Sequence, residues 1–154
     1  MLTQFARLTV AADGRYATPE ELQFLKDYFK SFNLRLSAYQ KIRAAEPEIL
    51  RKVQAKIQSI DPTLFHSGSQ DVTNKWKIDT VRVLRHTAAA LLFNDRDRFK
   101  EQFITWFQTI LKAMNVERSA DLTYQVMLEV ICQYLTPEEA ALFVPIWELN
   151  RIKA

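Results

Sequence analysis

Residues 75–95 read KWKIDTVRVLRHTAAALLFND. The stretch holds neither glycine nor proline, so nothing in it interrupts a helix over 72–93. Its first half is charged: Lys75, Lys77, Asp79, Arg82 and Arg85, with Trp76 and His86 among them. Its second half is an apolar run ending in Asn94-Asp95, a pair that closes this helix and caps the next. Lys75 stands four residues before Asp79 and Arg82 three after it, the spacing of a solvated ion-pair ladder. One helix thus carries a cationic, an acidic and an apolar programme. The rest of the chain has to say whether that serves a ligand, a partner or a core.

Working outward, punctuation is scarce: two glycines and five prolines in 154 residues leave few turns and favour long helices. Two helix starts are written alike, Thr18-Pro19-Glu20-Glu21 and Thr136-Pro137-Glu138-Glu139. Each sets a Thr N-cap, a Pro at the first helical position and a Glu that reaches back to the orphan amides. Leu22, Leu25, Phe29, Phe32 and Leu36 follow the first box at helical spacing, and Ala141, Val144 and Trp147 follow the second. Between the boxes the periodicity predicts helices near 20–45, 48–60, 72–93, 96–113 and 119–134, with a start or kink at Glu46-Pro47. A short amphipathic helix at 2–12 precedes them, with Phe5, Leu8 and Ala12 on one side. Asp61-Pro62 ends a helix and His66-Ser67-Gly68-Ser69 is a loop; no alternating strand pattern occurs. These elements make an all-α domain of about seven uneven helices, for which globin-like packing is the natural candidate.

The composition bounds the function. With 48% hydrophobic and 25% charged residues, the chain is an ordinary globular domain with enough length for a real core. Its net charge of +3 is spread among interleaved acids, without the basic stripe of a nucleic-acid reader. A lone Cys132 precludes an internal disulfide and fits a reducing, intracellular setting. No signal-peptide order opens the sequence, and no run approaches a membrane span.

Three stretches carry a resemblance. ADGRYATPEEL (12–22) resembles an "AD…RYLSP.EL" pattern, LRLSAYQKIRAAEPEILRKVQAKI (34–57) a helix pair opening "RL..AQ.L", and 75–95 a helix of the form K-C-x-R-D-x-x-x-x-L-R. LTPEEAA (135–141) is similar to the opening of the same family's final helix. The chain is thereby similar to the phycobilisome protein family, the allophycocyanin and phycocyanin subunits of cyanobacteria and red algae. The resemblance implies one domain over 1–154, with an N-terminal helical extension (1–17) used for subunit pairing and a globin-like core (18–154). It also implies a cytoplasmic place, with the phycobilisome at the cytoplasmic face of the thylakoid.

The departures fall in the chemistry. Trp76 stands where the family has the cysteine that forms a thioether to the bilin, and Ile78 where an arginine pairs with a bilin propionate. Asp79 matches the aspartate that accepts hydrogen bonds from the pyrrole nitrogens. Lys75, Lys77, Arg82 and His86, with Asp79 and Trp76, are therefore the candidates for a non-covalent tetrapyrrole pocket, and covalent attachment is not expected. The family's partner contacts are matched: Asp13 and Arg85 correspond to a reciprocal Asp–Arg pair across the subunit contact, and Tyr16 to a tyrosine within it. Reciprocal pairs suit a two-fold or pseudo-two-fold interface.

Other chemistry has little to stand on. The helix expected at 96–113, where a globin's proximal histidine belongs, has no histidine. His66 and His86, twenty residues apart, make a poor metal site. Cys132 lies in an apolar helix as a default buried thiol, and there is no glycine-rich phosphate loop. Phe99, Phe103, Trp106, Phe107 and Ile110 form an aromatic stripe suited to a core or a cavity wall. Asp79 and His86 are the only conceivable acid–base groups, and nothing activates them. The expectation is a non-enzymatic protein that pairs with itself or with phycobiliprotein subunits, in phycobilisome assembly, regulation or turnover. The alternative is a carrier or sensor holding a free bilin.

Overall fold

The computed structural model describes residues 1–151. Its helices are α1 (Leu2–Ala11), α2 (Gln23–Ile60), α3 (Thr73–Phe93), α4 (Arg96–Phe99), α5 (Thr105–Ala113), α6 (Glu117–Cys132) and α7 (Pro137–Trp147). A π-helical turn, Lys100–Ile104, joins α4 to α5, so 96–113 is one helical run as its periodicity predicts. The arrangement is all-α and globin-like, with short 3-10 turns at Pro62–Phe65 and Glu148–Asn150. The loop at 66–69 turns out to close a small hairpin, His66–Ser67 against Gln70–Asp71, with Gly68 at φ 62° in its turn.

The core is built where α2, α3, α6 and α7 meet. Ile42, Ile49, Val53 and Ile57 of α2 recur at helical spacing and are buried against Val83, Leu84 and Leu91 of α3. Met127 and Ile131 of α6 and Phe143, Ile146 and Trp147 of α7 complete it. Trp147 is fully buried because its one polar atom is satisfied: Nε1–H donates to the Tyr124 carbonyl at 2.9 Å.

Two expectations need correction. Pro47 does not divide two helices; α2 runs through it for 38 residues. Proline removes one amide donor and strains one turn, but the flanking turns bury Ile42 and Ile49, whose packing outweighs that loss. The second correction concerns which residues face the core. Ala141 is exposed and Val144 half-buried, while Phe143 and Ile146 are buried. After the first box, Phe29 is 68% exposed, and Tyr28, Arg35 and Ala38 turn inward instead. The first turns of α2 therefore show part of their apolar stripe to solvent.

Both capping boxes form. Thr18 N–H and Glu21 N–H bond reciprocally to Glu21 Oε1 (2.9 Å) and Thr18 Oγ1 (3.1 Å), although regular α2 begins only at Gln23. At α7 the reciprocal pair is Thr136 and Glu139. Glu139 also accepts from Lys41 Nζ at 2.6 Å, tying α7 to α2.

The corner between α3 and α4 fixes the extension. Asn94 takes a left-handed conformation (φ 47°) and Asp95 caps α4 by accepting from Arg98 N–H at 3.2 Å. The same carboxylate accepts from Thr3 N–H at 2.7 Å and from the Thr3 hydroxyl. Tyr28 and Arg35 of α2 donate to the last carbonyls of α3, Leu92 and Leu91, each at 2.9 Å. A cation there also complements the negative end of the helix dipole.

Burial alone would raise the Glu139 carboxyl, but Lys41 and the Thr136 amide outweigh it and hold it at about 2, below the ordinary 4.5. The folded value lies below the unfolded one, so the stabilisation is complete above pH 4.5 and is lost as pH falls towards about 2. Urea unfolding across that window should show stability falling with acid, and Glu139→Gln should flatten the fall.

Candidate functional site

The charged half of α3 supplies both an inward seat and the lining of a groove. Trp76 leans inward: its ring meets Phe65 edge-on at 5.2 Å and its Nε1–H donates to Thr123 Oγ1 at 3.1 Å. An amphipathic ring is well placed in such a half-buried seat, where its N–H finds an acceptor. Lys75 and Asp79 form the i,i+4 ion pair at 2.8 Å, worth about 0.3–0.5 kcal/mol on a solvated helix face. Burial, reinforced by the nearby Asp79 charge, pushes the Tyr124 phenol well above its ordinary range.

Lys77, Ile78, Val81, Arg82, Arg85 and His86 line an open groove of about 450 Å³. The structure thus gathers Lys77, Arg82 and His86 from the six tetrapyrrole candidates and leaves Lys75, Trp76 and Asp79 outside the groove lining. His86 stacks on Phe103 with centroids 4.2 Å apart and planes 16° from parallel. Burial, with the Arg82 charge beside it, pushes its imidazole below the ordinary value, which favours the neutral ring. Phe103 in turn stacks on Phe99 and Phe107, so most of the aromatic stripe is core. Trp106 is the exception, 52% exposed. The π-helical turn at Lys100–Ile104 contains Phe103 and widens the helix there, a distortion that often accompanies functional surfaces.

The interface candidates lie at the surface. Tyr16 is 98% exposed and Asp13 is exposed in the loop after α1. Arg85 is exposed and already held: its Nε and Nη2 donate to Glu46 Oε2 and Oε1 at 3.0 and 2.7 Å. Between α2 and α3 that pair borders a second groove of about 390 Å³, shared by Tyr39, Ile42, Arg43, Glu46, Leu84 and Arg85. Sequence reasoning missed Glu46 and Arg43. They stand 39 and 42 residues from Arg85, in another helix, and no local spacing signals the pairing.

Cys132 ends α6 half-buried, and burial raises its thiol above the ordinary value, away from a reactive thiolate. His66 is exposed in the hairpin. Among the described residues, no three of His, Cys, Asp and Glu converge as metal donors, and no helix is long and apolar enough to cross a membrane.

Trp76 is therefore a packing residue of the fold. Trp76→Phe should cost about 1 kcal/mol through the lost hydrogen bond to Thr123, and Trp76→Ala should cost more by also emptying the seat against Phe65. Chemical denaturation of the two variants checks the order.

Comparison with known proteins finds no match among curated proteins. A protein-family model described as phycobilisome protein matches residues 8–149. That span runs from within α1 through α7 and takes in both grooves and the loop holding Asp13 and Tyr16. The chain belongs to the phycobilisome protein family.

Proposed function

We propose that this chain is a pairing member of its family, without a covalently attached bilin and without enzymatic activity. It associates with itself or with phycobiliprotein subunits, in the assembly, regulation or turnover of the phycobilisome. One observation carries the reading: α1 buries none of its residues and leaves Phe5 46% and Val10 78% exposed. Tyr16, and Phe29 on the first turns of α2, add further exposed apolar area. Each Å² of it removed from water returns roughly 25 cal/mol, an ample source of association energy. Asp13 and Arg85 supply opposite charges for orientation, which sets register and specificity more than raw affinity.

Trp76 supports the absence of a tether, since the position that would carry the thiol is an indole packed on Phe65. The test is sedimentation velocity at micromolar concentration, alone and mixed with allophycocyanin subunits. A dimer or a mixed complex is expected, weakened about tenfold by Arg85→Glu or Asp13→Arg and restored when both are present. A strict monomer that ignores those subunits contradicts the reading.

The groove at Lys77, Ile78, Val81, Arg82, Arg85 and His86 favours a second reading, a carrier or sensor of free bilin. Its size suits a small ligand, and its cations suit a ligand's carboxylates. Asp79 would have to exchange Lys75 for pyrrole N–H donors. Phycocyanobilin added to the protein should then give a red-shifted band that Arg82→Ala weakens; an unchanged spectrum removes this reading.

A further inference from the structure

We propose that Arg15 is a positioning residue for association: with Glu21 it locks the elbow between α1 and α2, and so sets the pose in which the extension meets a partner. The inference rests on the pairing reading and adds to it the residues that hold the surface ready. Arg15 itself need touch no partner.

α1 cannot hold its place alone. It has 10 residues, and isolated helices shorter than about 12–15 residues are marginal in water. None of its residues is buried, and the Thr3–Asp95 hydrogen bonds fix only its first turn. Its far end runs into Asp13-Gly14, where Gly14 takes φ 75° with open space around it. A glycine in that conformation turns the chain but does not fix the angle to the next helix.

Arg15 supplies the missing constraint. Its Nη2 donates to the Ala11 carbonyl at 3.1 Å, filling an orphan acceptor at the end of α1 and setting a cation at the negative end of the dipole. Its Nη1 donates to the Tyr16 carbonyl at 3.1 Å. The same guanidinium meets Glu21 through both nitrogens, Nη1 to Oε1 at 2.8 Å and Nη2 to Oε2 at 3.0 Å. Glu21 is also the acid of the first capping box, accepting from Thr18 N–H at 2.9 Å. One planar fork thus joins the last turn of α1, the backbone at Tyr16 and the box that precedes α2, which the single ammonium of a lysine could not do. Arg15, then the Thr18 amide, hold the Glu21 carboxyl at about 2, below its ordinary 4.5, so the pair stays charged at neutral pH.

The exposure of the pair says what it is for. Arg15 is 46% and Glu21 27% exposed, and ion pairs at such a surface add little to stability. What a two-point guanidinium–carboxylate contact adds there is geometry. Asp13 stands two residues before Arg15 and Tyr16 directly after it, so holding Arg15 holds both. An elbow set beforehand removes an ordering cost that association would otherwise meet.

Sedimentation velocity of the full chain, with hydrogen–deuterium exchange of the dilute monomer, tests this. Arg15→Ala should weaken the dimer, or the mixed complex with allophycocyanin subunits, roughly tenfold. It should also speed exchange several-fold at residues 8–18 while the thermal midpoint and the exchange of the core stay unchanged. Glu21→Gln should act in the same direction and less strongly, because glutamine still serves the capping box but leaves Arg15 a single acceptor oxygen. If Glu21→Gln tightens association while Arg15→Ala weakens it, Arg15 is a direct partner contact and the positioning role is overturned. Unchanged exchange at residues 8–18 in Arg15→Ala overturns it as well. In both cases the pairing reading stands if Asp13→Arg still weakens the complex. A chain that stays monomeric, alone and with those subunits, removes both.

Discussion

Asp95 holds together the part of the molecule from which the pairing proposal starts. A buried carboxylate is costly unless its acceptor sites are filled, and here one oxygen pair serves two elements at once. It accepts from Arg98 N–H at the start of α4 and from the Thr3 amide and hydroxyl at the start of α1. Burial alone would raise this carboxyl, yet those donors and the nearby terminal ammonium hold it below its usual range. A first helix with no fully buried residue is thus fixed by a polar latch, with Phe5 and Val10 left to solvent. Tyr28 and Arg35 secure the start of α2 to the same corner by capping the carbonyls of α3.

From that corner α3 runs back across the molecule as a divided helix. Its inward residues, Thr80, Val83, Leu84, Thr87 and Leu91, belong to the core. Its outward residues form two grooves that share Arg85 as a common wall. One groove is cationic, with His86 stacked on Phe103 at its edge; the other is bordered by the Arg85–Glu46 pair. Trp76 is given to packing, where it joins Phe65 to Thr123. The same helix thus serves the core on one side and presents ligand- or partner-sized surface on the other.

Much of this could be read from the chain. The paired Thr-Pro-Glu-Glu boxes, the long periodic segments and the Asn94-Asp95 stop gave the helices, because capping and 3.6-residue periodicity are local. The Lys75–Asp79 pair was legible for the same reason. Proline 47 misled, since its cost is local but the packing of Ile42 and Ile49 that overrides it is not. The core face after each box was misread where tertiary neighbours decide which stripe goes inward, as with Phe29 and Phe143. Glu46 beside Arg85, Trp76 beside Thr123 and Thr3 on Asp95 join residues 39 to 92 apart, and no pattern in one segment announces them.

The central claim is that the extension loop and the α2–α3 groove meet across a contact between chains. Hydrogen–deuterium exchange, compared between dilute and concentrated protein, reads both surfaces together. The account predicts that protection appears in the same concentration range for residues 8–20 and for the segments around Arg43–Pro47 and Arg85. Protection confined to other surfaces, or none at concentrations where the chain associates, would contradict it.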